Sequence, residues 1–297
     1  MNEPVPNARL AWPMRLAGAL PLGFLRWLGS GLGLLVYFAS GSYRGKIRDN
    51  LRTAGLDTPA MRRAAAVEAG RALAELPFIW SRSQDRLLAL VRCDTMEVLD
   101  RAEEAGRGLL LITLHLGGFE ASARFCAARA HRMGAKMTVL YKPPTKKWLR
   151  PLVRSSRSAP GLEGFPADIA GVRIMLRALR SKGTVALLPD QVPSAGDGRW
   201  APFFGRPAYT STLPQRLVER TGAKVVLGIC ERLPGGRGWD LRFEEIVDSP
   251  SPEHLNACFE EAIRRRPEQY LWGYRRYKAP ASVSRDGARQ PDPQGGS

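Results

Sequence analysis

A histidine and a glutamate, His115 and Glu120, close the run LLLITLHLGGFE, with two glycines between them. An imidazole takes a proton from a hydroxyl well when a carboxylate fixes its other ring nitrogen, so the pair suits general-base catalysis. On a single helix this spacing would set the two side chains about 140° apart. Across a strand-to-helix turn Glu120 can instead fold back to the ring, and the helix amides nearby could hold an oxyanion or a phosphate. On spacing alone a plainer assignment leads, with Glu120 favouring the helix dipole and His115 a satisfied strand-end residue.

Two further groups could join such a site. Asp190 ends the short apolar run TVALLPD, which brings it to the same crevice as His115 to orient a substrate hydroxyl, a basic side chain or the loop that follows; a turn-forming role is equally open. Phe203, Phe204 and Gly205 suit a wall for an apolar chain or, more plainly, a core and turn. From Ala121 to Leu162 there is no acidic residue, whereas Lys142, Lys146, Lys147, Arg154 and Arg157 follow one another beside Pro143, Pro144 and Trp148. That loop suits phosphate or an acidic partner, and a solvated face is its plain alternative. Ser122 lies in a helix with no G-x-S-x-G elbow, which argues against an acyl-serine route.

The elements that must place these residues alternate along the chain. Gly108 to His115, Met137 to Tyr141, Thr184 to Leu188, Lys224 to Glu231 and Trp239 to Ile246 read as strands. Thr58 to about Pro77, Phe119 to Arg132, Asp168 to Lys182, Ser211 to Thr221 and Pro252 to Arg266 read as helices. The order predicts an α/β fold, a mixed β-sheet sandwiched by helices, with an N-terminal apolar membrane-associated helix. The organisation expected is a membrane-associating segment over 1–45, an α/β domain over 46–278 and a disordered tail over 279–297.

Leu16 to Tyr43 is apolar or small except for Arg26, and Arg44, Lys46, Arg48 and Arg52 follow at once. The part after Arg26 is near the minimum length of a membrane span, about 17 residues, and a helix lying in the membrane plane explains it equally well. A helical hairpin packed on the domain is a third reading. A signal peptide fits poorly, because Arg26 breaks the apolar region and no A-x-A site follows. In the 297-residue chain, 45 Lys and Arg stand against 28 Asp and Glu, a formal charge of +17 that favours acidic partners. No DNA- or RNA-binding motif accompanies it, which argues against nucleic acid. Cys93, Cys126, Cys230 and Cys258 are too widely spaced for a metal cluster and read as reduced thiols.

LHLGGFE, an H-x4-E pattern after an apolar strand, resembles the signature of the lipid A biosynthesis acyltransferases, the lauroyl and myristoyl transferases. Further blocks are similar in the same order: LYKPPTKKWLRPLVRSSR, ALRSKGTVALLPDQ, WAPFFGRPAYTST and RRRPEQYLWGYRRYK, so that the likeness covers roughly residues 10 to 278. Lys142 stands where the family often has arginine, and Gly118-Phe119 where asparagine-tryptophan is frequent. The resemblance implies acyl transfer from an acyl carrier protein thioester, or less often acyl-CoA, to a hydroxyl of a phosphorylated glucosamine lipid at the cytoplasmic face of the inner membrane. It implies His115 as base with Glu120 holding the imidazolium, no metal and no bound cofactor, and Arg157 as the family's later arginine. Tyr270, Trp272, Arg275 and Arg276 are expected to pack the domain and meet lipid headgroups. Acylation of a lysophospholipid or another glycolipid, and a noncatalytic membrane-bound lipid-binding protein, are the alternatives.

Overall fold

The computed structural model describes residues 12–141, 158–280 and 283. The chain opens with three helices, α1 (Trp12–Ala19), α2 (Leu22–Ala39) and α3 (Gly41–Thr53). Pro21 precedes α2 and Ser40 caps α3, accepting from the Tyr43 amide, so the apolar stretch is cut where proline and a capping serine fall. Next comes α4 (Pro59–Ala74), started by Thr58, whose side chain accepts from Met61 N at 3.1 Å. This helix stops before the expected Pro77, which sits in the first turn of α5 (Leu76–Ser81), and α6 (Gln84–Leu88) follows.

Among the described residues the remaining strands and α-helices are β1 (Val91–Arg92), α7 (Met96–Glu104), β2 (Leu109–Ile112), α8 (Phe119–Arg132), β3 (Met137–Tyr141), β4 (Ser158–Ala159), β5 (Leu162–Pro166), α9 (Ile169–Arg180), β6 (Thr184–Leu187), β7 (Gly198–Phe203), β8 (Arg206–Ser211), α10 (Leu213–Thr221), β9 (Lys224–Arg232), β10 (Trp239–Ile246) and α11 (Pro252–Arg265). Among the described residues eight strands form one mixed sheet in the order β1-β10-β9-β2-β6-β3-β5-β4, and β7-β8 is a separate hairpin. The central five, from β9 to β5, run parallel, while β10 and β4 turn antiparallel at either side.

β2 is buried along its whole length, and its residues divide between two cores. Leu110 and Ile112 face a core with Met175 of α9, Leu217 of α10 and Ile263 of α11. Leu109 and Leu111 face the other, with Phe78 of α5, Leu99 of α7 and Ala127 of α8. The sheet is thus covered on both sides, as the sequence predicts. The 279–297 segment lies outside the described residues apart from 279, 280 and 283.

α2 has two unlike faces. Leu22, Leu25, Arg26, Gly29, Gly33 and Tyr37 are buried, and the helix lies along α4, where a Cβ on Gly70 would stand 2.0 Å from the Gly29 carbonyl oxygen. The opposite face carries Phe24, Trp27, Leu28, Leu32, Leu35 and Phe38, with Trp27 68 % and Leu35 65 % exposed. Two effects oppose each other in Gly70→Ala: helix propensity favours alanine by about 1 kcal/mol, whereas a side-chain carbon at that distance from backbone must part the helices, costing about 1–3 kcal/mol. The clash should prevail, with a Tm lower by several degrees in a thermal melt; an unchanged or raised Tm would show that the helices do not meet so closely.

Candidate functional site

β2 and β6 are parallel neighbours with Ile112 opposite Leu187, and each chain leaves the sheet at that point. His115 and Asp190 stand equally far beyond these two ends, so the strand register brings them together at the carboxyl edge, the usual crevice of a parallel sheet. Asp190 grips His115 twice. Its Oδ1 lies 2.7 Å from the ring Nδ1, and its Oδ2 accepts from the His115 backbone N–H at 3.0 Å. The imidazole is fixed relative to its own main chain, with Nδ1–H donating to carboxylate and Nε2 left as the basic nitrogen. The Gln191 amide lies 3.3 Å from that Nε2, in position to donate to it. Phe119 packs its ring against the imidazole with centroids 4.9 Å apart.

Asp190 is almost wholly buried, and burial alone would raise its pKa; the charge and hydrogen bonds of His115, with Arg276 nearby, outweigh this and hold it below the ordinary carboxylate value. It is therefore an anion at neutral pH. The sequence placed Asp190 in the crevice but assigned the grip on the ring to Glu120. The geometry gives the Nδ1 contact to Asp190, because adjacent parallel strands deliver its carboxylate beside that nitrogen. Glu120 is buried in the first turn of α8, where its Oε2 accepts from the Trp80 indole N–H of α5 at 3.1 Å.

The loop between the two is held from behind. Gly117 N–H donates to the Gln269 carbonyl at 3.1 Å and Gly118 N–H to the Cys230 carbonyl at 2.7 Å. These two amides are thereby committed to main-chain carbonyls. Leu271 N–H donates to the His115 carbonyl at 3.2 Å, and the Arg232 guanidinium donates to the Gly117 carbonyl at 2.7 Å. Gly117 has φ +55°, and a Cβ there would meet the Cys230 carbonyl oxygen at 2.1 Å; at Gly118 it would meet the Trp239 indole at 2.1 Å. Trp239 of β10 therefore occupies the space that an asparagine side chain at 118 would need.

Arg232 belongs to a buried ionic cluster. Its Nε lies 3.1 Å from Glu75 and its Nη1 2.6 Å from Glu68, while Arg26 of α2 reaches Glu75 at 3.0 Å and the carbonyls of Leu233 and Gly238. The cluster joins the apolar N-terminal helix to the turn after His115. Sequence reasoning missed Arg232, Trp80, Gln191 and Gln269; the last two fall inside the LPDQ and PEQY blocks already singled out, whereas nothing local marks the first two.

Phe203 and Phe204 are packed rather than open. Phe204 (φ +48°) and Gly205 (φ +72°) form the two-residue turn of the β7-β8 hairpin, and the rings stack among Tyr270, Trp272 and Tyr277. They are core and turn. Tyr270, Trp272 and Arg276 are buried too, Arg276 on the Tyr209 carbonyl and the Thr210 hydroxyl, so of the four C-terminal residues expected near headgroups only Arg275 is exposed. Lys142, Lys146, Lys147, Arg154 and Arg157 lie outside the described residues.

Residues 10–279 match the family model described as bacterial lipid A biosynthesis acyltransferase. The chain is 26 % identical over 222 residues to the lipid A biosynthesis lauroyltransferase of Escherichia coli (strain K12), spanning 70 % of this chain and 69 % of that protein. It is 25 % identical over 221 residues to the lipid A biosynthesis palmitoleoyltransferase of the same organism, with 70 % and 68 % covered. With a lipid A biosynthesis acyltransferase of Haemophilus influenzae the identity is 24 % over 278 residues, 87 % of this chain and 86 % of the relative. A histidine gripped at the carboxyl edge of a parallel sheet and a family match over nearly the whole chain agree: this protein is an acyltransferase belonging to the bacterial lipid A biosynthesis acyltransferase family.

Proposed function

We propose that the protein transfers a fatty acyl chain from an acyl carrier protein thioester to a hydroxyl of a lipid A precursor, at the cytoplasmic face of the inner membrane. The observation that carries the reading is the double grip of Asp190 on His115, which leaves Nε2 as the base. The acceptor hydroxyl displaces the Gln191 amide from Nε2 and gives up its proton there. Its oxygen attacks the thioester carbonyl, the tetrahedral intermediate collapses, and the departing thiolate takes the proton back from His115. Ester and thiol are formed, with no covalent enzyme intermediate. Glu120, on the same turn and buried, adds negative charge that favours the imidazolium as it develops.

The membrane reading rests on α2. Its 18 residues extend about 27 Å, a little short of a hydrocarbon core of about 30 Å. One face is fastened to α4 and carries the buried Arg26, and the other is apolar and exposed. A helix so fastened lies in the membrane plane with its outer face in the acyl layer, because a perpendicular span would draw α4, with Arg62, Arg63 and Arg71, in with it. The charge between Lys142 and Arg157 supports recognition of the carrier protein or of lipid phosphate by that loop.

Mass spectrometry of lipid A from cells lacking the protein, with and without complementation, tests the function. Loss of one secondary acyl chain, restored by the protein and not by His115→Ala, is the expected result. A change confined to phospholipids would transfer the acceptor to a lysophospholipid.

A further inference from the structure

Where α2 gives way to α3, a second concavity of about 430 Å³ opens on the surface. Lys46 comes from the second turn of α3, Arg206 from the start of β8, and Arg275 and Lys278 from the C-terminal segment. Among the described residues none of these four cations lies within salt-bridge distance of a carboxylate. Arg206 rests over the Tyr277 ring at 4.7 Å and Lys278 over the Tyr274 ring at 5.4 Å, contacts that hold the side chains without neutralising them. The one acid lining the cleft, Asp49, pairs with Arg48 at 3.4 Å.

A larger cleft beside Arg26 makes the contrast. Its five arginines, Arg26, Arg71, Arg92, Arg232 and Arg266, each face Glu68, Glu75, Glu231 or Asp240, so its charge is internally satisfied. The smaller cleft keeps an excess of positive charge, and it does so at one end of the exposed apolar face. Phe38, 63 % exposed, ends that face, and Lys46 follows about two helical turns later. Arg44 is not part of the cleft, since it donates to the carbonyls of Tyr37 and Phe38 at the end of α2.

We propose that this cleft binds a lipid phosphate, held by Lys46, Arg206, Arg275 and Lys278, at the level where α2 meets the membrane surface. The proposal rests on the in-plane reading of α2 given above, and not on the His115 chemistry. A phosphate set beside the end of an apolar helix lies at headgroup depth, and guanidinium groups bind its oxygens in pairs. The site also touches the active crevice. Asn50, which lines the cleft, donates to the carbonyls of Trp272 and Tyr274, and the Tyr274 hydroxyl accepts from Val192 N–H at 3.0 Å, beside Gln191.

The phosphate can belong to a bulk anionic phospholipid or to the acylated acceptor itself, and two arms separate these sources. In the first, the full chain and Lys46→Ala/Arg275→Ala are floated with phosphatidylcholine vesicles, with or without phosphatidylglycerol. Arg177→Ala/Arg180→Ala, on exposed positions of α9, is the control for lost net charge. In the second arm, KM for the acceptor is measured in neutral detergent, without vesicles. A phospholipid site predicts a tenfold or larger loss of phosphatidylglycerol-dependent flotation in the cleft variant alone, each basic residue near an anionic surface being worth roughly fivefold. An acceptor site predicts instead a raised KM with kcat kept, again in that variant alone. Equal losses in both variants, or none in either arm, would overturn the proposal. Flotation of His115→Ala like the unaltered chain would keep this test separate from that of the catalytic mechanism.

Discussion

Asp190→Asn should leave the protein folded and lower kcat by about 10³- to 10⁴-fold, the order of loss when the carboxylate that fixes a catalytic imidazole becomes an amide. The physical reason lies in the two contacts that Asp190 makes with His115. Asparagine has one oxygen to replace two. If that oxygen keeps the backbone N–H, its amide N–H meets Nδ1 and forces the proton to Nε2, which then has no lone pair for the acceptor hydroxyl. KM for the acceptor should change little, since the loss appears only as the proton moves. Nitrogen NMR of the His115 ring gives an independent readout, an Nδ1–H tautomer in the parent and Nε2–H in the variant. A kcat within tenfold of the parent, or an unchanged tautomer, would remove Asp190 from the mechanism. Glu120→Gln should cost less, because Asp190 holds the ring Nδ1 while Glu120 accepts from the Trp80 indole.

The same residue gives a pH signature. Asp190 titrates below its unfolded value of about 3.9, so its stabilisation is fully present above that pH and is lost as pH falls through the lower, folded value. The Tm advantage of the parent over Asp190→Asn should therefore hold at neutral pH and shrink in the acid range below about pH 4. An advantage that grew with acidity would contradict the depressed value.

Much of this arrangement was legible in the sequence where local chemistry dictates local structure. The helix over Phe119–Arg132 and the strands Met137–Tyr141 and Trp239–Ile246 have the boundaries read from periodicity and glycine stops. The β7-β8 hairpin was not read as strands, because its turn uses Phe204 in the left-handed region, a conformation sequence reasoning reserves for glycine or asparagine. Arg275 and Arg276 show a further limit. They are neighbours of identical type, yet one is exposed at a basic cleft and the other is sunk among Tyr209, Thr210 and Asn256, a division set by a chain segment far away in sequence. Asp190 was placed in the right crevice without its partner for the same reason. Its pairing follows from β2 lying beside β6, a non-local register that no single stretch encodes.

That non-local support leads to the second large effect, at Arg232. Burial opposes its charge, but Glu75 and Glu68 more than restore it, and the guanidinium stays protonated. Arg232→Met leaves both carboxylates with less compensation and the Gly117 carbonyl without its donor. Breaking a buried pair on one side costs about 3–5 kcal/mol, or roughly 10 °C in Tm for a chain of this size. Loss of activity in that variant would be ambiguous, since a weakened fold also lowers activity. The triple variant Arg26→Met/Glu75→Leu/Arg232→Met removes the ambiguity. Replacing a whole buried ionic group by apolar side chains of similar volume is often neutral or stabilising, so Tm should return towards that of the parent while Glu68 keeps Arg71 as its partner. Activity should not return with it. The Gly117 carbonyl would still lack the hydrogen bond that sets the turn after His115, and a displacement of about 1 Å at a reacting group costs on the order of a hundredfold. The expected outcome is a stable protein with kcat depressed about a hundredfold. Full recovery of both Tm and kcat would show that the cluster only holds the fold, and that the remaining contacts from Gln269, Cys230 and Asp190 suffice to position the histidine.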